Sequence, residues 1–417
     1  MKKQIFLSLL CFVLVFIAGC RTQPQEIAVP RYDRPLHPGQ LALRKVTNPY
    51  ELPDFSLALL DLDGLREATG RSIRYLRKPS SRQFFPCNQL THSLALRSLE
   101  EFADLLDSGL TGSALNTAIK DNFDVYMSVG CDNEGTVLFT GYYTPIFEGS
   151  KDRSEQFRYP LYKQPNDLLK GDNGEILGRR LTDGSVVPYP PRAVIEDARM
   201  LVGNELMWLS DPFEVYIAHV QGSAKIRLPD GKLTTVGYSA SNGHEYKSIS
   251  KEMIKDRRIN KSQISLSTMI DYFKKHVDQV EIYVRRNPRY IFFRYEDGPP
   301  RGSLNEPVTP LRTIATDKSI FPRGCLAFIS THLPVESGGY HIYSGFALDQ
   351  DTGGAIRAAG RCDVYMGEGD RAGNLAGRIY QEGKLYYLFL KSLDIARGID
   401  SFPRQAKILH LNKGLNN

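Results

Sequence analysis

Asp349-Gln350-Asp351-Thr352-Gly353-Gly354-Ala355-Ile356-Arg357, followed by Arg361-Cys362-Asp363-Val364-Tyr365-Met366-Gly367-Glu368-Gly369-Asp370, is the densest polar cluster of the chain, and apolar strand-like segments flank it. Glycine turns between short strands let backbone and ligand approach closely. Carboxylates at strand ends of a barrel can then face one cleft. Around the cluster, short apolar runs recur at 290–294, 312–316, 325–329, 342–347, 355–358, 363–365 and 385–390, separated by glycine-bearing turns. That spacing predicts a small β-barrel.

Working outward, residues from about 50 to 127 carry apolar positions at helical spacing, among them Leu94, Leu96, Leu99, Phe102, Leu105 and Leu106. From Val137 the chain turns strand-like and ends that run at Thr144-Pro145. The next hundred residues are rich in Gly, Pro and short strands; 213–220, 225–228 and 232–238 read as strands, the last two joined by Pro229-Asp230-Gly231. They predict a compact all-β unit. Helical spacing returns at Leu266, Met269, Ile270 and Phe273, continues to Val284, and is broken by Asn287-Pro288. Helices before residue 130 and after 262 are expected to pack on the barrel, which makes the middle unit an insertion. The expected organisation is mainly β with helices: a barrel-containing domain of 49–145 and 251–398, and an inserted smaller β-domain of 146–250.

At the N-terminus, Lys2 and Lys3 precede an apolar run from Ile5 to Ile17 and then Ala18-Gly19-Cys20, the layout of a secretory signal. The run is short for a membrane span, which needs about 20 residues. Ile17-Ala18-Gly19-Cys20 resembles the bacterial lipobox, which implies a signal peptide of 1–19 and lipidation of Cys20. Arg21 then resembles the sorting signal for the outer membrane, with the body facing the periplasm. Residues 20–48, with Pro24, Pro30, Pro35 and Pro38, read as an extended tether.

Removing 1–19 takes away Lys2 and Lys3 and lowers the net charge from +6 to +4. A mild basic balance without a Lys/Arg run argues against nucleic acid as partner and suits an anionic, peptide-bearing polymer. Cys87, Cys131, Cys325 and Cys362 remain, none in a Cys-x-x-Cys pair; four thiols allow three pairings in an oxidising compartment. Cys362 reads as a buried strand thiol or half of a disulfide. His219, His244, His332 and His341 lack metal-ligand spacing, so no metal is expected. There is no Gly-x-Ser-x-Gly elbow and no phosphate-binding loop, and no cofactor is expected.

Gly141-Tyr142-Tyr143-Thr144-Pro145, Gln221-Gly222-Ser223, Val236-Gly237-Tyr238 with Asn242-Gly243, Asn287-Pro288-x-Tyr290-x-Phe292-Phe293 and the aspartate cluster follow one another in an order that resembles the membrane-bound lytic murein transglycosylase A family. The likeness covers roughly residues 90 to 395, and its C-terminal part is similar to the three-aspartate domain. The resemblance implies a double-psi β-barrel, an inserted second domain, and a groove between them for a peptidoglycan glycan strand. It implies a peptidoglycan lytic exotransglycosylase of cell-wall turnover, although exo and endo action stay open, as do complexes with cell-wall synthases or hydrolases. Asp363 matches the catalytic aspartate, Asp351 its upstream partner and Asp370 a third acidic position. Ala224 stands where glycine is expected.

Ordinary glycosidases use two carboxyls; a lytic transglycosylase needs one. Asp363 would protonate the oxygen of the β-1,4 bond after MurNAc, and the sugar's own C6 hydroxyl would capture the cationic carbon as a 1,6-anhydroMurNAc end. Asp363 must then be protonated near neutral pH, and Asp351 or Asp370 could supply the negative charge that raises it; either could instead only bind glycine-turn amides. Tyr142, Tyr143, Thr144, Gln221, Ser223, Asn242, Tyr246, Gly353 and Gly354 are the candidate sugar contacts, since rings stack on aromatics and hydroxyls meet amides. Adjacent Tyr142 and Tyr143 point to opposite strand faces, so one belongs to the core. Trp208 is expected between the domains. The rival readings are an endoglucanase-like inverting hydrolase, with Asp351 as base, and an expansin-like module that binds peptidoglycan without cleaving it.

Overall fold

The computed structural model describes residues 30–172, 174–260 and 264–391. The expected signal segment 1–19, Cys20, the start of the tether and residues 392–398 lie outside them. No helix of the described residues is long and apolar enough to cross a membrane.

β1 (Leu43–Lys45) is followed by α1 (Leu65–Arg77), α2 (His92–Asp107) and α3 (Gly112–Asn122). Thr91 caps α2 by accepting the Leu94 amide, and the helix buries Leu99 and Phe102. The helical stretch expected to about residue 127 stops at Asn122. Beyond it Phe123, Val125 and Met127 are buried at every second position, the period of a strand, and form β2 (Phe123–Ser128). β3 (Val137–Thr144) then opens the site.

The second lobe runs through β4 (Ile146–Ser150), β5 (Tyr159–Tyr162), β6 (Leu168–Lys170), β7 (Ile176–Arg180), β8 (Val186–Val187), α4 (Arg192–Asp197), β9 (Glu205–Leu209) and α5 (Pro212–Gln221). It continues in β10 (Ser223–Arg227), β11 (Leu233–Ser241), α6 (Ile249–Lys255), α7 (Leu266–Lys275), α8 (Val280–Val284) and β12 (Ile291–Glu296). The chain returns in β13 (Thr313–Ala315), β14 (Leu326–Pro334), β15 (Tyr340–Asp351), β16 (Arg361–Glu368), α9 (Gly369–Ala376) and β17 (Tyr380–Leu390).

Strands pair in the order β17-β14-β15-β13-β16-β3, and β3 pairs back onto β17, which closes a six-stranded barrel. This is the closed barrel that the resemblance implied. Its core takes in Phe139, Ile314, Phe328, Leu348, Cys362, Val364 and Leu388, and α1 and α2 cover it with Leu76, Leu99 and Phe102. The other six-stranded sheet has the order β12-β11-β10-β4-β9-β5.

Several expectations are corrected here. Residues 213–220, read as a strand, are the body of α5. Asp211 accepts the amides of Phe213 and Glu214, Pro212 occupies the first turn and Gly222 ends the helix at φ +78°. Because α5 buries Phe213, Tyr216 and Ile217 beneath the sheet, its apolar pattern is too continuous to show a helical period. With α4 and α5 in it, the inserted unit is not all-β. The helices after residue 262 were expected on the barrel, yet Phe273, Val280 and Tyr283 share a core with Ile226, Val236 and Phe293 of the second sheet. A boundary at residue 250 cuts through that core. Residues 355–358 are a turn, not a strand: Ala358 has φ +67° and its amide binds Asp317. Trp208 sits in β9 against Pro160 with Arg153 over its ring, within the second lobe. Cys87, Cys131, Cys325 and Cys362 are free thiols, and all but Cys87 are buried.

Candidate active site

β3 and β16 run parallel with Asp363 opposite Thr140, Val364 opposite Gly141 and Tyr365 opposite Tyr142. Alternation sends Phe139, Cys362 and Val364 into the barrel core. The other face therefore carries Thr140, Tyr142 and Thr144 beside Arg361, Asp363 and Tyr365. Gly141 sits on the core-side face where α9 crosses: a Cβ there would come within 2.8 Å of the Ala376 Cα. Glycine keeps the helix close to the strand.

Asp363 is half-buried, and Oδ1 accepts the Thr140 hydroxyl. Burial pushes its carboxyl up to about 6; Arg361 opposes that and Asp351 adds to it. Asp351 is also raised by burial, but both of its oxygens are occupied. Oδ1 accepts the amides of Ser303 (2.9 Å) and Thr352 (2.8 Å), and Oδ2 accepts the Tyr142 hydroxyl at 2.9 Å. Asp351 thus lends Asp363 its charge while being clamped by three donors. Asp370 is exposed in the first turn of α9. It does not join the other two.

Of the two adjacent tyrosines, Tyr143 is core, packed on Ala372 and Ala376. Tyr142 faces the site, with its ring 5.1 Å from that of Tyr365. Thr144 is buried and bonded to the Tyr365 hydroxyl at 3.0 Å. Gln221 accepts the Tyr143 amide at 3.1 Å, which ties the end of α5 to β3. Ser223 begins β10 half-buried, and Lys225 of the same strand pairs with Glu368 of β16. Asn242 is 2% exposed and spends both ends of its amide on backbone, at Pro190, Pro288 and Tyr290. It shapes the loop that presents Tyr246, which is half-buried beside Tyr216 and Ser248 and lies within electrostatic reach of Arg361 and Asp363. Gly353 and Gly354 form the turn after β15, where a Cβ on Gly354 would stand 3.1 Å from the Arg289 Nε.

Two participants, Thr140 and Arg361, had no sequence signal. Thr140 and Arg361 reach Asp363 only through strand register. Glu214, in the first turn of α5, is a carboxyl pushed up to about 7 by burial and by Asp211; it lies near Asp370 and Tyr143. A cavity of about 540 Å³ in the second lobe, lined by Tyr162, Arg192, Glu196, Tyr216 and Tyr290, includes none of the three aspartates. Among the described residues no cluster of three or more His, Cys, Asp or Glu could hold a metal.

Comparison with known proteins matches residues 138–294 to the MltA specific insert domain and residues 312–389 to the 3D domain. The chain is 30% identical over 273 residues to membrane-bound lytic murein transglycosylase A of Escherichia coli K12, covering 64% of this chain and 69% of that protein. It is 28% identical over 284 residues to the Vibrio cholerae protein of the same name, covering 66% and 69%. Among solved structures, the membrane-bound lytic murein transglycosylase of Agrobacterium tumefaciens superposes with a TM-score of 0.72 at 24% identity, covering 86% of this chain and 99% of that one. Escherichia coli MltA with bound chitohexaose superposes with a TM-score of 0.62 at 24% identity, covering 88% and 99%.

Proposed function

This chain belongs to the membrane-bound lytic murein transglycosylase A family, and from that premise we propose that Asp363 alone cleaves the β-1,4 bond between MurNAc and GlcNAc, acting first as acid and then as base. The chain is a lytic transglycosylase of peptidoglycan, and glycan strands are its substrate. What carries the single-carboxyl reading is the contrast between two aspartates: Asp363 is held protonated to about pH 6, whereas Asp351 has both oxygens engaged by donors.

In the reaction, protonated Asp363 gives its proton to the glycosidic oxygen, the C1–O bond breaks, and GlcNAc leaves with a free 4-hydroxyl. The C6 hydroxyl of the same MurNAc closes on C1, and its proton returns to the Asp363 carboxylate. No water is consumed, and the acid is regenerated. Because the nucleophile belongs to the substrate, alignment can contribute several kcal/mol of effective molarity. Tyr142, Gln221, Ser223, Tyr246, Gly353 and Gly354 are the residues we assign to the groove wall. The barrel carries the chemistry, and the inserted lobe, which we draw from residue 146 to the end of β12 at Glu296, forms the opposite wall.

The chain is membrane-associated, as its relatives are by name. We assign the attachment to acyl chains on Cys20, at the outer membrane and facing the periplasm. Several acyl chains on one residue hold a body at the membrane durably, where a single chain binds only reversibly.

Purified sacculi digested by the protein should yield 1,6-anhydroMurNAc ends by mass spectrometry. Reducing MurNAc ends would instead establish a hydrolase. The pH dependence separates the same alternatives. Only protonated Asp363 starts the reaction, so kcat/KM should be flat below pH 6 and fall about tenfold per pH unit above it. A hydrolase with Asp351 as ionised base would add a second, rising limb on the acid side.

A further inference from the structure

Beyond the acid itself, the strand pairing that holds Asp363 brings a cation close to it without letting the two touch. Arg361 and Asp363 lie two residues apart on one face of β16, and Thr140 of β3 stands directly across from Asp363. Arg361 Nη2 donates to the Thr140 Oγ1 at 3.1 Å, and Thr140 donates to Asp363 Oδ1. Among the described residues Arg361 makes no ion pair with any carboxylate, and its Nε is buried without a partner. Among the described residues its side-chain hydrogen bond goes to Thr140.

We propose that Thr140 and Arg361 are positioning residues that fix which oxygen of Asp363 carries the catalytic proton, and this rests on Asp363 being the acid. A guanidinium only donates, so Arg361 occupies a lone pair of the Thr140 hydroxyl and turns its single proton away. The acceptor in that direction is Asp363 Oδ1. An oxygen that is accepting a hydroxyl proton does not also hold the acid proton toward the same partner, so the neutral acid carries its proton on Oδ2. The relay also spaces the charges. A direct bidentate Arg–Asp pair would hold the carboxylate ionised; with a hydroxyl between them the cation lowers the acid's pKa only in part, and burial keeps it up.

The groups that face Asp363 from each packed element are Arg361 on its own strand, Asp351 on β15, Tyr142 on β3 and Tyr246 from the loop after β11. Arg361 is the only cation of this set. Removing it therefore has a predictable sign on the acid's titration: the proton is held more tightly, and the falling limb of the pH profile moves to higher pH.

The test is a double-variant cycle on sacculus digestion, read as kcat, KM and pH profile. Thr140→Val should lower kcat about tenfold with KM little changed, and Thr140→Ser should restore most of the rate. Arg361→Met should lower kcat severalfold and shift the falling limb upward. In the Thr140→Val background, Arg361→Met should have almost no further effect on the low-pH plateau of kcat, because its hydrogen-bonded route to Asp363 is already cut, while the falling limb still moves upward with the lost charge. Rates that multiply independently, failure of Thr140→Ser to restore the rate, or an unmoved limb in Arg361→Met would overturn the proposal. Asp363→Asn run alongside separates the two failures. An active Asp363→Asn removes the acid assignment, whereas an inactive one with uncoupled Thr140 and Arg361 removes only the relay. Thermal unfolding of each variant identifies any loss caused by misfolding, and the kcat and falling limb of Arg361→Met keep the test decisive if the valine variant does not fold.

Discussion

Asp363→Asn is expected to lower muropeptide release from sacculi by about 10³-fold or more while leaving glycan binding in place. General acid catalysis is worth roughly 10² to 10⁴ in rate, and here one group does the work of acid and base, so the loss belongs at the upper end. Asparagine is nearly isosteric, and its amide oxygen can still accept the Thr140 hydroxyl that Oδ1 now accepts. What disappears is the transferable proton. Asp351 does not take over, because its oxygens are held by Tyr142, Ser303 and Thr352. Folding should be preserved, since a half-buried carboxyl that favours its neutral form below about pH 6 is replaced by a permanently neutral group. A variant that binds sacculi, unfolds at the wild-type temperature and still releases muropeptides at a wild-type rate would show that the acid lies elsewhere.

The legibility of this site in the sequence follows from how local each feature is. Gly141-Tyr142-Tyr143-Thr144 and Asp363-Val364-Tyr365 read as strands because alternation and aromatic content are properties of neighbours in the chain, and both lie in barrel strands. The division of labour between Tyr142 and Tyr143 follows from the same alternation. Thr140 and Arg361 are 221 residues apart and meet only because β3 and β16 pair in parallel, which no local pattern encodes. Asn242 was singled out for an amide that suits a sugar, but a loop with no strand partners needs those same groups to satisfy its own backbone. The misread segment 213–220 is the converse case. Its start signal, Asp211-Pro212, was present, but a helix buried on much of its circumference loses the polar stripe that gives the period away. The packing of α7 and α8 on the second sheet was hidden for a related reason: amphipathic spacing says that a helix has a buried face and not which sheet that face meets.

A second large effect is expected from a residue that touches no substrate. Lys318→Met should destabilise the fold by about 3–5 kcal/mol, the usual result of stranding one member of a buried ion pair. Asp349 is 0% exposed, and its oxygens take Lys318, the Thr316 hydroxyl at 2.8 Å and the Tyr387 hydroxyl at 2.7 Å. Burial pushes the Lys318 ammonium down while Asp349 pulls it up, so the pair gains little over two well-packed apolar residues. Its one-sided removal is a different matter, because two hydroxyls are poor compensation for a fully buried carboxylate. The damage should also reach the active site. Thr316 bonds Asp349 through its hydroxyl, gives its amide to the Asp351 carbonyl and accepts the Thr352 hydroxyl at 2.9 Å, so this strand end sets the position of Asp351. Urea or thermal unfolding should show a drop of roughly 10 °C for the single variant. Lys318→Met with Asp349→Asn should recover much of it, since the amide keeps the Thr316 and Tyr387 bonds and removes the stranded charge. A single variant within 1 kcal/mol of wild type, or a double variant no better than the single, would mean that the buried carboxylate is compensated by something other than Lys318.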